Sequence, residues 1–399
     1  MKYITYRTYS LLKISLFILF IKSLYAWFLW EDSYFSFLLS LIAIAIFTIT
    51  NKGALKFKRE NITPIALIIV LNLYLVRELN INGFIFGLLT GIILSFVLLL
   101  KDQIKSDLFK FFTTAFSILL FISLFAWLLF IFGVNLPHYP LEHGTEQYRY
   151  YHHNYYYFLY DTADHEKSGV PIPRFSSIFI EPGQLGMMTS FFLYGNQFEL
   201  KRKSILIILI ATLLTFSLAA YVVLIISVTI YVLLKSNKPI LLISLWAIFL
   251  AICYFYFTSL NHGNNIINKL IIDRLQITDN GIAGDNRVSL YLDSYFDNFK
   301  TTGETFFGLG DKKYSEIDWG GGNAGYKVFW LRHGIVGILL VFIFYLSIVI
   351  GNSSKMAWSF LLIYILIFIQ AAYATWVCEL LLFITATPTF KYYSQKNTP

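Results

Sequence analysis

Charged residues and cysteines are scarce in this chain. Of its 399 residues, 14% are Asp, Glu, Lys or Arg, whereas a soluble globular protein carries about 25%. The two cysteines, Cys253 and Cys378, lie within apolar runs and cannot cross-link exposed loops, so a disulfide framework is excluded. These absences exclude a soluble enzyme, a soluble nucleic-acid-binding protein and a disulfide-rich secreted scaffold.

Apolar sequence is abundant instead. Hydrophobic residues make up 57% of the chain and the mean hydropathy is +0.64. Runs of about 20 apolar residues satisfy their own backbone hydrogen bonds as transmembrane helices. The sequence therefore predicts an all-α polytopic membrane protein, folded as a single integral membrane domain over 1–399.

About twelve transmembrane helices are predicted from these runs, although adjacent short runs leave the count between ten and twelve. The runs are 12–30, 33–49, 62–77, 81–100, 111–133, 177–197, 204–218, 220–234, 239–258, 326–350, 356–371 and 373–389.

The distribution of positive charge predicts the orientation. Seven segments outside the spans are rich in basic residues and together hold 18 Lys and Arg against four acidic residues. They are 1–13, 51–61, 101–110, 199–203, 235–238, 351–355 and 391–399. Because basic loops stay in the cytoplasm, these segments are predicted to be cytoplasmic, together with both termini. The net charge of +8 is then explained by the basic residues of these cytoplasmic segments. The expected surroundings are membrane lipids, and no nucleic-acid partner is expected.

Two long polar segments fall on the opposite, outer face in this topology. They are the first outer loop, 134–176, and the second outer loop, 259–325. All seven histidines lie in or near them. Loops of this length usually carry function, so we expect the chemistry to lie on this face.

The first outer loop ends in the run Arg174-Phe-Ser-Ser-Ile-Phe-Ile-Glu181-Pro-Gly-Gln-Leu-Gly186, which leads into a predicted span. Ionisable residues within a membrane are costly and point to function. In one interpretation Glu181 faces a water-filled cavity, opened where Pro182-Gly183 break the helix. In the other, Arg174 reaches the interface and Glu181 caps a helix. The sequence leaves both open.

The second outer loop ends in cationic and glycine-rich motifs. Arg287, Lys327 and Arg332 offer donors that suit a phosphate or pyrophosphate. Six glycines in 308–325 allow a close approach of the backbone to a ligand. The alternative is that Arg332 is an interfacial anchor and the glycines form a flexible turn.

Together these motifs resemble the bacterial O-antigen and capsular polysaccharide polymerase and O-antigen ligase superfamily. The run 174–186 is similar to the family's pattern at the opening of a mid-chain span. Arg287, the turn 307–310, Asn323 and the helix start at 334–337 are similar to its second-loop pattern. The resemblance covers about 174–345 by motif and implies a GT-C-like fold.

The resemblance implies a glycosyltransferase that acts on undecaprenyl-pyrophosphate-linked glycans at the outer face of the bacterial inner membrane, without cofactor or metal. Inverting displacement of pyrophosphate needs cations for the leaving charge and a base for the acceptor hydroxyl. By resemblance, Arg174, Arg287 and Arg332 bind the pyrophosphate. Further residues assigned to the substrate are Lys327, Asn323 and Tyr326. The candidate bases are Glu181, Asp318, Asp285 and His333, of which Glu181 or Asp318 is favoured.

One position departs from the pattern of the family's ligases. Ligases commonly carry a His-Asn pair before the late helix, and the matching pair here is Gly322-Asn323. His333 lies about three helical turns further on. The missing histidine favours a polymerase over a ligase.

The first outer loop is also rich in aromatic residues, with eight Tyr and five of the seven His. Tyr rings stack on sugars and their hydroxyls form hydrogen bonds. The cluster is interpreted as a glycan-binding wall, with Tyr151 and Tyr156 as substrate-binding candidates. For any single Tyr, an interfacial aromatic belt is the favoured explanation. The wall would comprise Tyr150, Tyr151, Tyr155, Tyr156 and Tyr157.

Two other polar pairs have simpler interpretations. His152-His153 lacks a third ligand at metal-site spacing and is interpreted as structural. Glu31-Asp32 lies in a loop of only a few residues, so the pair is predicted to cap a helix end.

The sequence thus predicts a polymerase that joins lipid-linked repeat units into O-antigen, capsule or exopolysaccharide, with a chain-length regulator as a conceivable partner. The alternative within the superfamily is a ligase that transfers finished glycan to an acceptor. The alternative from another class is a polysaccharide transporter or flippase, which twelve spans would fit. The one-sided clustering of polar residues and the lack of a repeat oppose a transporter.

Overall fold

The computed structural model describes residues 5–32, 34–57, 59–77, 81–144, 149–161, 172–278, 281–282, 289–320, 325–352, 354–371 and 375–391. The chain divides into two compact units. The first unit comprises Met1–Ser23, Glu31–Phe112 and Asn286–Pro399, and the second comprises Leu24–Trp30 and Thr113–Asp285. A single membrane domain over 1–399 remains a prediction.

Helices dominate the described part of the chain. They are α1 (Tyr6–Ser23), α2 (Phe35–Thr50), α3 (Arg59–Leu75), α4 (Ile81–Leu99), α5 (Asp102–Ile131), α6 (Pro182–Gly195), α7 (Lys203–Leu214), α8 (Leu218–Lys235), α9 (Pro239–Ser259), α10 (Leu290–Phe299), α11 (Gly310–Ser315), α12 (Tyr326–Gly351), α13 (Lys355–Gln370) and α14 (Val377–Ala386). Except for α10 and α11, which lie in the second predicted outer loop, each overlaps one predicted span.

Among the described helices, five are long and apolar enough to cross a membrane. They are Ile81–Leu99, Asp102–Ile131, Leu218–Lys235, Pro239–Gly263 and Tyr326–Gly351. The shorter apolar helices are Phe35–Thr50, Lys203–Leu214 and Lys355–Gln370. No residue of α9 is buried, as expected for a helix whose apolar surface contacts lipid. These features define a helical membrane protein, while the prediction of twelve crossings goes beyond them.

A small β-sheet occupies part of the first predicted outer loop. Strands β1 (Tyr139–Gly144), β2 (Arg149–Asn154) and β3 (Leu159–Asp161) form an antiparallel sheet with β2 in the centre. A second pair, β4 (Ile277–Thr278) and β5 (Gly281–Ile282), lies in the second predicted loop. The helical fold class describes the predicted spans, while the two predicted loops also contain these short strands; in the first loop, the aromatic-rich sequence favours strands.

Short polar side chains and prolines set several helix starts. At α8, α10 and α13 the N-cap residues are Ser217, Ser289 and Ser354, and each hydroxyl accepts a backbone N–H of the first turn. Such caps satisfy donors that have no partner within the helix. Pro182 and Pro239 begin α6 and α9, where the missing N–H of proline costs nothing.

The capping prediction for the pair Glu31-Asp32 is confirmed at Asp32. Its Oδ1 accepts a hydrogen bond from Phe35 N at 2.7 Å, and its Oδ2 accepts one from Ser36 N at 3.1 Å. Lys22 Nζ lies 3.1 Å from the same Oδ2. Asp32 therefore joins the end of α1 to the start of α2, while Glu31 is exposed.

Candidate functional site

In the second unit, the segment 172–181 crosses the end of α7 and leads into α6. Arg174 Nε donates to Thr215 O at 3.2 Å, and Phe175 N donates to Leu214 O at 3.0 Å. Both carbonyls belong to the C-terminal end of α7, where the helix dipole favours a cation. The half-buried guanidinium of Arg174 is thus held at a defined place.

Left-handed backbone at non-glycine residues marks the segments around Arg174. The φ angle is 56° at Ser177 and 44° at Phe216, and it is 57° at Tyr25 and 66° at Tyr156. Each such residue costs roughly 1–2 kcal/mol. Strain of this kind persists where surrounding structure enforces it, and it concentrates at functional sites.

Glu181 is the N-cap residue of α6, and its side chain makes no capping hydrogen bond. The side chain is exposed. Its side chain therefore does not cap α6 by a hydrogen bond, and its carboxylate is not buried within the protein. Three residues further on, Gln184 Oε1 is buried without a hydrogen-bond partner, which is unusual for a buried polar atom.

Gly186 brings α6 close to the start of α8. A Cβ at this position would lie 2.4 Å from Ala220 Cβ and 3.1 Å from Thr215 Oγ1. Since the backbone carbonyl of Thr215 accepts from Arg174, the glycine determines how closely α6 approaches the turn that holds Arg174.

The tyrosines of the predicted glycan wall differ in exposure. Tyr156 and Tyr157 are 48% and 56% exposed. Tyr155 is buried, and its ring centroid lies 5.0 Å from that of Phe130 and 4.7 Å from that of Phe158. The inclusion of Tyr155 in the wall is therefore wrong, because the tight turn at 154–158 points its ring into the apolar interior.

In the first unit, predicted substrate-binding residues lie at the start of α12. Lys327 Nζ is 2.5 Å from Asp293 Oδ1. Arg332 forms an ion pair with Asp311, with 2.6 Å between Nε and Oδ1. Tyr326 packs at the edge of the apolar cluster between α10 and α12. Each of these two cations thus has a carboxylate partner from the preceding loop.

α12 is broken at Gly334, where φ is 68°. The loop before α11 fits into the break: Leu309 N donates to Leu331 O at 2.7 Å, and Val336 N donates to Phe306 O at 3.0 Å. Backbone groups freed by the break are therefore satisfied by the loop. The helix start predicted at 334–337 is the point where α12 resumes.

His333 immediately precedes this break. It is buried, and its Nδ1 has no hydrogen-bond partner, while its ring centroid lies 4.7 Å from that of Phe329. Its backbone oxygen accepts from the Tyr74 hydroxyl at 2.7 Å.

The candidate bases differ in accessibility. Glu181 and Asp318 are exposed, and Asp318 Oδ1 accepts a hydrogen bond from Gly320 N at 3.0 Å. A base must reach the acceptor hydroxyl, and buried His333 meets this requirement least well. Asp285 lies outside the described residues.

The structure does not describe the side chains of three other predicted site residues. Arg287 and Asn323 lie outside the described residues, and of Tyr151 only the backbone, in β2, is described. Within the described ranges, no group of three or more His, Cys, Asp or Glu side chains is arranged to hold a metal ion.

The structure also brings in residues that the sequence did not single out. Arg77 donates to Phe307 O at 2.5 Å and follows directly on the apolar run of α3, so the rule that drew attention to Arg174 would have found it. Thr215 and Asp311 have no such feature. Their contacts join residues 41 and 21 positions apart, which sequence spacing does not reveal.

Comparison of the chain with protein-family models, curated proteins and solved structures finds no match. The motif resemblance is therefore a prediction, and the function is inferred from the residues themselves.

Proposed function

We propose that this protein is a membrane glycosyltransferase that polymerises undecaprenyl-pyrophosphate-linked oligosaccharide repeat units into O-antigen, capsule or exopolysaccharide. The observation that carries the proposal is the segment 174–181. Its Arg174 binds the C-terminal end of α7, and its exposed Glu181, seven residues further along the chain, stands at the start of α6. Inverting transfer from a lipid pyrophosphate needs these two groups.

In the proposed reaction, the acceptor hydroxyl attacks the anomeric carbon of the donor sugar. The bond from that carbon to the pyrophosphate oxygen breaks as the new glycosidic bond forms. Glu181 takes the hydroxyl proton, and Arg174 stabilises the negative charge of the departing lipid pyrophosphate. Arg287, Lys327 and Arg332 stay predictions as phosphate-binding residues, and Asn323 and Tyr326 stay predictions as substrate-binding residues.

The proposal includes a location. Twelve membrane crossings with both termini in the cytoplasm would bring both outer loops to the outer face of a bacterial inner membrane, where lipid-linked repeat units are joined. Positively charged segments between the helices support this orientation. A separate chain-length regulator is the protein partner proposed for this role.

Deletion of the gene tests the proposal against its two alternatives. We expect single repeat units on a gel of surface polysaccharide in place of a ladder, and short lipid-linked intermediates. Long polymer retained on its lipid carrier would indicate a ligase instead. An unchanged ladder with normal intermediates would contradict both enzymes.

Two variants then test the site. Arg174→Ala and Glu181→Gln should each reduce chain extension about a hundredfold, the scale of losing one charge-stabilising or proton-transferring group. Arg202→Ala is the matched control, because Arg202 also precedes a helix, α7, and bonds to Asn196 and Glu199. Normal extension in both site variants at normal expression would refute the proposal.

A further inference from the structure

Three aromatic rings from two distant parts of the chain meet in the second unit. Trp27 follows α1, and its ring centroid lies 6.3 Å from that of Tyr139 in β1, at an interplanar angle of 79°. Tyr139 in turn lies 5.5 Å from Tyr156, at 63°. Edge-to-face packing is a favourable arrangement, and Trp27 and Tyr139 remain partly exposed while Tyr156 is 48% exposed. We call these three residues the aromatic platform.

Hydrogen bonds fix the platform. Trp27 Nε1 donates to Tyr156 O at 3.0 Å, and Tyr156 N donates to Asn154 Oδ1 at 2.7 Å. Asn154 Nδ2 donates to the Tyr139 hydroxyl at 2.7 Å, so the proton of that hydroxyl can serve a ligand. One amide side chain therefore ties two of the three rings together.

The backbone at Tyr156 is strained to hold this position. Its φ angle is 66°, a conformation that costs a residue with a large side chain roughly 1–2 kcal/mol. The ring is nevertheless 48% exposed, so burial of the ring does not explain the strain. Strained residues of this kind occur where surrounding structure enforces them for function.

The platform is joined by hydrogen bonds to the segment that carries Arg174 and Glu181. Trp27 N donates to Ile178 O at 3.2 Å, and Leu159 N donates to Ser177 O at 2.8 Å. The Ser176 hydroxyl donates to Leu159 O at 3.0 Å. The proposed pyrophosphate-binding segment and the three rings thus belong to one hydrogen-bonded assembly.

The surrounding chemistry favours a sugar over a lipid chain. On the face of the sheet that carries Tyr139, the strand register also places the half-buried Asp161, whereas Glu142 and His153 lie on the opposite face; charged groups are costly against acyl chains. Sugar-binding sites combine aromatic faces for the apolar side of the ring with polar groups for its hydroxyls. The platform offers its rings together with the Tyr139 hydroxyl.

We propose that Trp27, Tyr139 and Tyr156 bind pyranose rings of the glycan, next to the segment that holds Arg174. The identity of the glycan as a lipid-linked repeat unit rests on the proposed function. The site itself requires only an oligosaccharide, and it adds Trp27, which lies outside both predicted loops.

Substitutions at Tyr156 separate ring binding from backbone structure. Tyr156→Phe retains the ring and should leave glycan affinity within about twofold of the wild type. Tyr156→Asn removes the ring but tolerates the left-handed backbone, and it should weaken binding about threefold to tenfold, as expected for one aromatic contact. Trp27→Ala should weaken it at least as much.

The probe is the oligosaccharide repeat unit released from the producing cells' own surface polysaccharide, titrated calorimetrically into the detergent-purified full chain. Phe132→Ala is the control, since Phe132 is 80% exposed in the same unit and makes none of the platform contacts. Equal affinity in wild type, Tyr156→Asn and Trp27→Ala overturns the proposal. Loss of membrane yield in Trp27→Ala and Phe132→Ala alike, with unchanged affinity, would identify a lipid-facing aromatic belt.

Chain-length gels distinguish this proposal from the proposed function. If glycan binding depends on the rings but gene deletion leaves the polysaccharide unchanged, the polymerase is contradicted and the platform is supported. If gene deletion abolishes polymerisation but Tyr156→Asn changes neither chain length nor glycan binding, the polymerase is supported and the platform is contradicted.

Discussion

Gly334 occupies a position where neither its backbone angle nor its surroundings admit a side chain. Its φ angle is 68°, and a Cβ would lie 2.2 Å from Phe306 O. We expect Gly334→Ala to displace the loop from the break in α12 and to lower the free energy of unfolding by about 2–4 kcal/mol. Thermal unfolding of the detergent-purified protein measures this loss.

Gly351 at the other end of α12 provides the control. A Cβ there meets nothing within 4 Å, and alanine is the better helix former, so Gly351→Ala should be neutral or slightly stabilising. Similar losses in both variants would show that the break at Gly334 does not depend on glycine.

Asp32 makes stability depend on pH. Burial alone would raise the pKa of its carboxyl, but hydrogen bonds from Ser36 and Lys22 and the charge of Lys22 outweigh burial and hold the pKa below the ordinary value of 3.8. A lowered pKa contributes stability above the ordinary value, and this contribution is lost as the pH falls through the lowered pKa. Asp32→Asn should therefore be less stable than the wild type at pH 7.

The difference between the two melting temperatures should shrink as the pH falls below about 4. Glu31→Gln, a change at the exposed neighbouring residue, should follow the wild-type profile. A difference between wild type and Asp32→Asn that stays constant with pH would contradict the assignment.

At the scale of elements, α6 packs on α8 with a close small-residue contact between Gly186 and Ala220. Adding a Cβ at Gly186 would bring it to 2.4 Å from Ala220 Cβ, and overpacking of this kind costs roughly 1–3 kcal/mol. Gly186→Ala should therefore destabilise the protein and weaken the site at Arg174. Ala220→Gly creates the missing space, so the double variant should recover part of the loss.

A double-mutant cycle on unfolding free energies measures this coupling, which we expect to exceed about 1 kcal/mol. Ala220→Gly alone serves as the control, because it reports only the helix-propensity cost of glycine at the start of α8. Purely additive effects would mean that the two helices are not in close contact.

Hydrophobicity predicts the helices better than it predicts the structure of the loops between them. The apolar run 239–258 became α9 (Pro239–Ser259), because a buried or lipid-facing backbone must bond to itself. The sheet at 139–161 was missed, since a polar segment with many aromatic residues lacks a clear apolar alternation. Helix α5 begins at Asp102, earlier than predicted, because polar residues can extend a helix beyond an apolar run.

The candidate site was predictable only in part, for the same reason. Arg174 and Glu181 stand out as charges beside a span, and the structure describes both. Their partners were not predictable: Thr215 O accepts from Arg174, and Trp27 N donates to Ile178 O. Contacts between residues far apart in sequence depend on tertiary packing, which one sequence does not encode in a readable pattern.

At the scale of the whole molecule, apolar surface and positive charge act together. Large apolar side chains remain exposed on many helices, such as Ile240, Ile252 and Phe255 on α9. Exposed apolar surface of this extent requires a membrane. The basic segments between the helices predict one orientation, and that orientation would decide which face of the membrane holds the proposed site.

Cysteine labelling tests this orientation. In a variant without Cys253 and Cys378, Tyr157→Cys and Ser315→Cys introduce thiols at exposed positions in the first and second predicted outer loops. Both should react with a membrane-impermeant maleimide in spheroplasts. Asn237→Cys, exposed in a predicted cytoplasmic segment, should react only after the membrane is opened.

The reverse pattern would invert the topology and exclude transfer from lipid-linked donors at the outer face, whatever the geometry around Arg174. Labelling at all three positions without opening would show instead that the charge rule fails for this chain.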